Sequence, residues 1–339
     1  MSSEVPAPWI QAQLRALLAQ RGHAWLLHGP SGLGQYALAL ALARAWLCEQ
    51  PTEEGACGEC GSCHAIDVRT QADLCVLMPE TDMLELQWPL GEKAQAELDD
   101  KKRKPGKEIR IEAMRDAVDF SQRTSSGGRG KVVLVYPADR MNTFTANALL
   151  KTLEEPAGDI RFVLATDMAH QLLPTIRSRC LGHGMAWPEP DQALQWLQLQ
   201  GLKEIDALAF LRASGGRPDD ALQMARGGRD PKAWAQLPKA LQRGDASLFQ
   251  GWSARETLDA LHKLCHDLHL QGVGRAPRYF DARDLPAAPV DLARVSAWGR
   301  ELATARRTAE HPFNPGLMQE ALLNRAKNIL NSGVPLNRP

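Results

Sequence analysis

The sequence predicts an α/β protein continued by an all-helical part, and three observations carry that fold class. A short apolar run, Ala24 to Leu27, leads into the glycine turn His28-Gly29-Pro30-Ser31-Gly32-Leu33-Gly34-Gln35-Tyr36, and an Ala/Leu-rich helix follows from Ala37 to Leu47. Lys131 to Val135 is an unbroken Val/Leu run after its opening lysine, the pattern of a strand buried on both faces of a parallel sheet. After Trp187-Pro188-Glu189-Pro190, read as a linker, apolar residues recur only at helical spacing, as in Leu258, Leu261, Leu264 and Leu268.

Strand, glycine turn and helix together are the setting of a phosphate-binding loop, whose backbone N–H groups cradle phosphates at a helix N-terminus. Gly29 and Gly34 fall at the required positions. The two side chains that act on phosphate are missing. Gln35 stands where a Lys would reach the β- and γ-phosphates, and Tyr36 stands where Ser or Thr would hold Mg²⁺. The loop keeps its backbone pattern and lacks its chemistry. An ordinary Gly-Pro turn before a helix would read the same from these residues alone.

Composition bounds the rest. The 339 residues suffice for two or three domains, and 44% hydrophobic with 24% charged residues is ordinary for a globular protein. Forty basic and forty acidic residues balance, so any contact with nucleic acid must come from a local patch. No basic-then-apolar leader and no membrane-length apolar run is present, and a cytoplasmic location is expected.

Ile10, Leu14, Leu17 and Leu18 predict a helix from Pro8 to Arg21, with Pro6 and Pro8 suited to its start. Four of the seven cysteines follow the next helix, at Cys48, Cys57, Cys60 and Cys63. Three thiols two residues apart, with glycines between them, let the backbone curl round one ion. Cys48 can supply the fourth ligand, completing a tetrahedral structural Zn²⁺ site with no open position. Iron–sulfur clusters also take four thiolates, though at other usual spacings. His64 is adjacent and ranks below Cys48 as the fourth ligand, while Cys75 and Cys265 read as buried bystanders.

Asp73 to Leu77 reads as a strand, and Met78 to Lys107 as a stretch with little periodicity. That stretch ends in the basic run Lys101-Lys102-Arg103-Lys104-Pro105-Gly106-Lys107. Such a run could touch phosphate, but a solvated loop is the favoured reading. Ile111, Met114 and Val118 mark a helix, and Ser125-Ser126-Gly127-Gly128 a turn. In a nucleotide hydrolase the strand at 131–135 would end in an acidic pair serving Mg²⁺ and water. Here it ends in Tyr136-Pro137, with Asp139 displaced by three residues and read as a cap or turn residue.

Ala146 to Pro156 (ANALLKTLEEP), the strand Arg161 to Thr166 and Ile176-Arg177-Ser178-Arg179-Cys180 resemble the clamp-loader branch of the AAA+ proteins. The Cys-x8-Cys-x2-Cys-x2-Cys insertion is similar to that of the bacterial members. The doubly degenerate nucleotide site is similar to that of the non-hydrolysing delta-prime class in DNA polymerase III. The resemblance is specific over about residues 20 to 185 and general beyond. Against the hydrolysing gamma/tau class the sequence departs at Gln35, Tyr36, Tyr136 and Pro137, and Asp219 stands where gamma has a sensor Arg, with Arg217 nearby. Thr166 keeps the sensor position of the fourth strand.

The resemblance implies an AAA+ core over residues 1–185, a helical lid over 186–228 and a helical collar domain over 229–339. The stripes Leu292, Val295, Leu302 and Met318, Ala321, Leu322, Ala326, Ile329 would face either core or partner. It further implies a subunit that binds structural zinc and no ATP. Its partners would be delta and gamma/tau subunits, with which it places a ring-shaped beta clamp on primed DNA. Arg179, between a short helix at Gln171 to Ile176 and a last strand at Leu181 to Met185, would be an arginine finger in trans. A surface Arg paired with Glu154 or Glu155 is the simpler role. Two rival functions are an active gamma/tau-type ATPase, discriminated by nucleotide binding, and a zinc-ribbon nucleic-acid-binding module, discriminated by salt-dependent DNA affinity.

Overall fold

A computed structural model describes residues 7–286, 291–308 and 315–332, so Pro6 lies outside the described residues. The chain divides into two compact units, 1–192 and 193–339.

In the first unit α1 (Pro8–Leu18) precedes β1 (Ala24–His28), α2 (Gln35–Leu47) and α3 (Gly61–Asp67). There follow β2 (Leu74–Leu77), α4 (Glu80–Glu85), α5 (Glu92–Asp99), α6 (Ile111–Gln122) and β3 (Lys131–Val135). The unit is completed by α7 (Thr143–Glu154), β4 (Ile160–Thr166), α8 (Pro174–Arg177) and β5 (Leu181–Gly184). All five strands are parallel in the order β2-β3-β4-β1-β5, with Leu26 paired to Leu164 and Val133 to Phe162. Every residue of β3 is buried, Val132 to Val135 as their apolar text requires and Lys131 with its ammonium donating to the Ser121 carbonyl at 3.1 Å. One sheet face packs on α6 and α7 through Leu26, Val133, Phe162, Met114 and Leu149. Leu38 and Leu42 of α2 are likewise fully buried.

Three expectations are corrected. The helix drawn to Arg21 stops at Leu18, before the polar Gln-Arg-Gly stretch, which has no apolar residue left to bury. The helix drawn over 171–176 is split into a 3₁₀ turn, Ala169–Gln171, and α8, which starts at Pro174. Proline lacks the N–H an unbroken helix needs and forces Leu173 out of the helical region. The stretch 78–107 is not featureless but carries α4 and α5. Both are one to two turns long, too short for periodicity to register, and ion pairs hold them. Arg103 bridges Glu80 and Glu97, so the basic run is not wholly solvated.

The second unit takes in most of α9 (Pro190–Leu199), which spans the boundary, and then α10 (Glu204–Ala213), α11 (Pro218–Arg226) and α12 (Pro231–Arg243). It continues with α13 (Ala254–Gly272), α14 (Leu292–Thr308) and α15 (Pro315–Leu330). Leu258, Leu261, Leu264 and Leu268 bury with Trp234, Trp298, Val295, Leu302, Ala326 and Ile329 in one core, so these positions of the stripes are internal, whereas Ala321 is exposed. Asp267 is fully buried and accepts the backbone N–H groups of Arg278, Tyr279 and Phe280, which fastens the loop after α13. None of the described helices is long and apolar enough to cross a membrane.

Candidate functional site

In an open parallel sheet, ligands bind outside the carboxyl ends of the strands. Here those ends bring together the turn after β1, Tyr136 after β3, and Thr166 at the end of β4. Gly34 caps α2 in the left-handed region, φ 91°, which an L side chain enters only with strain. Gly29 is needed for a different reason. A Cβ there would sit 2.8 Å from that of Met185.

The loop is closed on itself. Gln35 is buried, and its amide Nε2 donates to the carbonyls of Gly29, 3.0 Å, and Pro30, 2.6 Å. Trp9 donates its indole N–H to the Leu33 carbonyl at 3.1 Å. The Tyr36 ring lies against that of Tyr136, centroids 5.3 Å apart and planes inclined by 33°. Burial pushes the Tyr36 phenol up, opposed by the Trp88 indole N–H, which donates to its oxygen at 2.6 Å. The Arg69 guanidinium lies 4.3 Å over the Trp88 ring. The two positions at which the sequence pattern would call for a Mg²⁺ ligand and an acid therefore carry a pair of aromatic rings in contact.

Thr166 is fully buried, and its hydroxyl donates to Asp139 Oδ1 at 2.5 Å. Asp139 lies in a 3₁₀ turn, Ala138–Arg140, as a turn residue should, and its carboxylate accepts from Thr166. Trp88, Arg69 and the Asp139–Thr166 bond were missed by sequence reasoning. A lone Trp in an aperiodic stretch carries no signal, and Arg69 adopts a left-handed conformation, φ 65°, that no local residue pattern announces.

The four cysteines do converge. Cys48 terminates α2, Cys60 caps the start of α3 and Cys63 lies within it. Cys48 Sγ lies 3.5 Å from that of Cys57 and 3.8 Å from those of Cys60 and Cys63, and all four sulfurs are within 4.8 Å of one another. A tetrahedron with metal–sulfur bonds of about 2.3 Å has edges of about 3.8 Å, so the set fits one ion of zinc's size. His64 is not part of the set. Burial pushes Cys63 up to about 12. Burial also opposes ionisation of Cys60, but the backbone N–H groups of Cys63 and Glu49 and the neighbouring thiols bring it down to about 6. N–H groups aimed at sulfur are what a metal-bound thiolate requires.

Arg179 follows α8. Its Nε donates to Glu154 Oε1 at 2.7 Å, its Nη2 contacts the same oxygen, and Nη1 donates to the Thr175 carbonyl at 2.8 Å. Arg217, at the start of α11, is tied to the Ser214 carbonyl and to Asp220, 2.8 and 2.9 Å. Asp219 lies in the first turn of the same helix.

Residues 10–185 match the family model described as "DNA polymerase III, delta subunit". Over 232 residues the chain is 39% identical to DNA polymerase III subunit delta' of Pseudomonas aeruginosa, covering 67% of this chain and 63% of that one. Over 259 residues it is 34% identical to DNA polymerase III subunit delta' of Escherichia coli, covering 74% and 64%. The chain thus spans just under two thirds of the length of these relatives. Among solved structures, a DNA polymerase III gamma subunit-related protein from Thermotoga maritima matches with a TM-score of 0.50 and 17% identity, over 95% of this chain and 99% of that one. That likeness agrees with an AAA+ fold.

Proposed function

The chain belongs to the DNA polymerase III delta-prime family, and on that premise we propose that it is a non-hydrolysing subunit of a clamp-loader complex. Its partners are gamma/tau and delta subunits, and the complex places a beta sliding clamp on primed DNA. The observation that carries this reading is the occupied nucleotide site. Gln35 satisfies the loop's own carbonyls, and Tyr36 packs on Tyr136 where a metal and its acidic ligand would be needed. No residue at those positions can hold Mg²⁺ or activate water.

Two further roles belong to the proposal. Cys48, Cys57, Cys60 and Cys63 hold a structural zinc ion, which keeps all four as thiolates and leaves no open coordination position. Arg179 exchanges Glu154 for the γ-phosphate in a gamma/tau neighbour's site, where its planar fork stabilises developing charge. The pairing with Glu154 keeps the guanidinium oriented until then. Neither rival reading, the active ATPase or the nucleic-acid-binding zinc ribbon, has an observation of comparable weight.

Reconstitution tests the proposal. The chain alone should hydrolyse no ATP, and adding it to gamma/tau and delta should complete clamp-dependent turnover. Turnover by the chain alone, or failure to enter the complex, would overturn it.

A further inference from the structure

Between β2 and α6 the chain leaves the carboxyl edge of the sheet at Met78 and returns at Ile109, which bridges to Met141. This strap is closed at its base. The Thr81 N–H donates to the Gly106 carbonyl at 3.2 Å, and the Gly106 N–H to Glu80 at 2.8 Å. Arg103 binds Glu80 and Glu97, each at 2.7 Å. These bonds account for the strap's ends and for α5. They do not account for its buried aromatic residue, Trp88, which is 7% exposed.

Trp88 reaches out of the strap to the degenerate loop. Its backbone N–H is fixed on the Met83 carbonyl, 2.8 Å, after Gln87 turns through the left-handed region at φ 58°. Its indole N–H is spent on the Tyr36 oxygen, its face is covered by Arg69, and Tyr36 carries the contact on to Tyr136. Arg69 stands just beyond α3, the helix of the cysteine module, and its left-handed backbone aims the guanidinium at the indole. Four separate segments, the start of α2, the end of β3, the end of the cysteine module and the strap, therefore meet in one stack.

A bound nucleotide with its metal ordinarily joins the phosphate loop to the strand ends. We propose that Trp88 is a built-in occupant of the metal end of this pocket, and that the strap thereby replaces nucleotide in tying loop, sheet and cysteine module together. The inference rests on the reading of the site as nucleotide-free. It differs from that reading in assigning the pocket a ligand, neutral and aromatic, supplied by the chain itself.

Hydrogen exchange of the full-length chain tests it. Trp88→Ala should accelerate exchange not only in the strap but across 34–40, 66–70 and 135–138, on the order of 100-fold, while the middle of β4 stays protected. Leu84→Ala, a change at a half-exposed strap residue, should leave those segments alone. Acceleration confined to 80–107 would overturn the proposal. Should Trp88→Ala fail to fold, Trp88→Phe and Tyr36→Phe each delete the 2.6 Å bond. Each should loosen 34–40, and the pair together should do no more than either alone; full additivity would overturn the proposal. Millimolar Mg-ATP should restore nothing in Trp88→Ala. Restored protection would remove the nucleotide-free reading and leave the occupant role supported.

Discussion

Tyr36 and Tyr136 face each other across the ends of α2 and β3 with ring centroids 5.3 Å apart. These are the two positions at which the sequence departs from the nucleotide-hydrolase pattern after its glycine turn and at its strand end, and the fold makes them one packing unit. Such an aromatic pair is worth about 0.5–1.5 kcal/mol beyond its buried area.

The first prediction follows directly. Calorimetric titration of the chain with Mg-ATP should find no sub-micromolar site. Gln35→Lys alone should not create one, because the ammonium would gain a phosphate partner but the Tyr36–Tyr136 pair would still fill the metal position. A tight site in either protein would refute the closed-loop account.

Metal analysis of the purified chain should return one zinc per molecule. Chelation, or Cys63→Ser at a fully buried ligand, should loosen residues 48–70 while the sheet keeps its protection, since metal and local fold are coupled. Iron with visible absorbance, or no metal at all, would count against the assignment.

Arg179→Ala should cost the isolated chain under about 1 kcal/mol, because its ion pair with Glu154 is partly exposed. In a complex whose other ATP sites are disabled, the same change should slow single-site turnover by on the order of 10³–10⁵. Arg179→Lys should rescue poorly for want of the planar fork. An unchanged rate at full incorporation would show that the Glu154 pairing is the residue's whole role.

Glu80 sets an acid limit on the strap. Burial alone would raise its pKa, but Arg103, the Gly106 N–H and Arg110 more than offset this and hold it below the ordinary 4.5. A carboxylate lowered in the native state contributes stability above its unfolded value and loses it as pH falls through the native one. Urea midpoints should therefore drop as pH falls below about 4.5. Glu80→Gln should show the loss already at neutral pH and a flatter acid limb. An unaltered acid limb would place the sensitivity elsewhere.

How far the sequence could be read depended on how local each cause was. β3 was legible because the four consecutive apolar positions Val132 to Val135 leave no other burial pattern, and the cysteine spacing announced its own convergence. Gln35 and Tyr36 announced a departure from the phosphate-loop pattern. They could not announce what replaced it, because Trp88 is 52 residues from Tyr36 and lies between helices too short to print a period. Arg103 was read as one cation in a basic run, whereas its carboxylates sit 6 and 23 residues away. The two roles offered for Arg179 could not be separated by sequence, since the isolated fold satisfies the simpler one.

Gly29 gives the phosphate-loop pattern a second meaning. With Met185 Cβ 2.8 Å from where its own would stand, a methyl group there would have to push apart the turn and the residue that follows β5. That demand is set by backbone fit and is indifferent to phosphate. The loop therefore carries residues under different constraints: Gln35 and Tyr36 answer to the loop's own carbonyls and to Trp88 and Tyr136, whereas Gly29 answers to the segment after β5. A glycine signature can thus be required by backbone fit alone, and only the residues between and after the glycines say whether a ligand is expected.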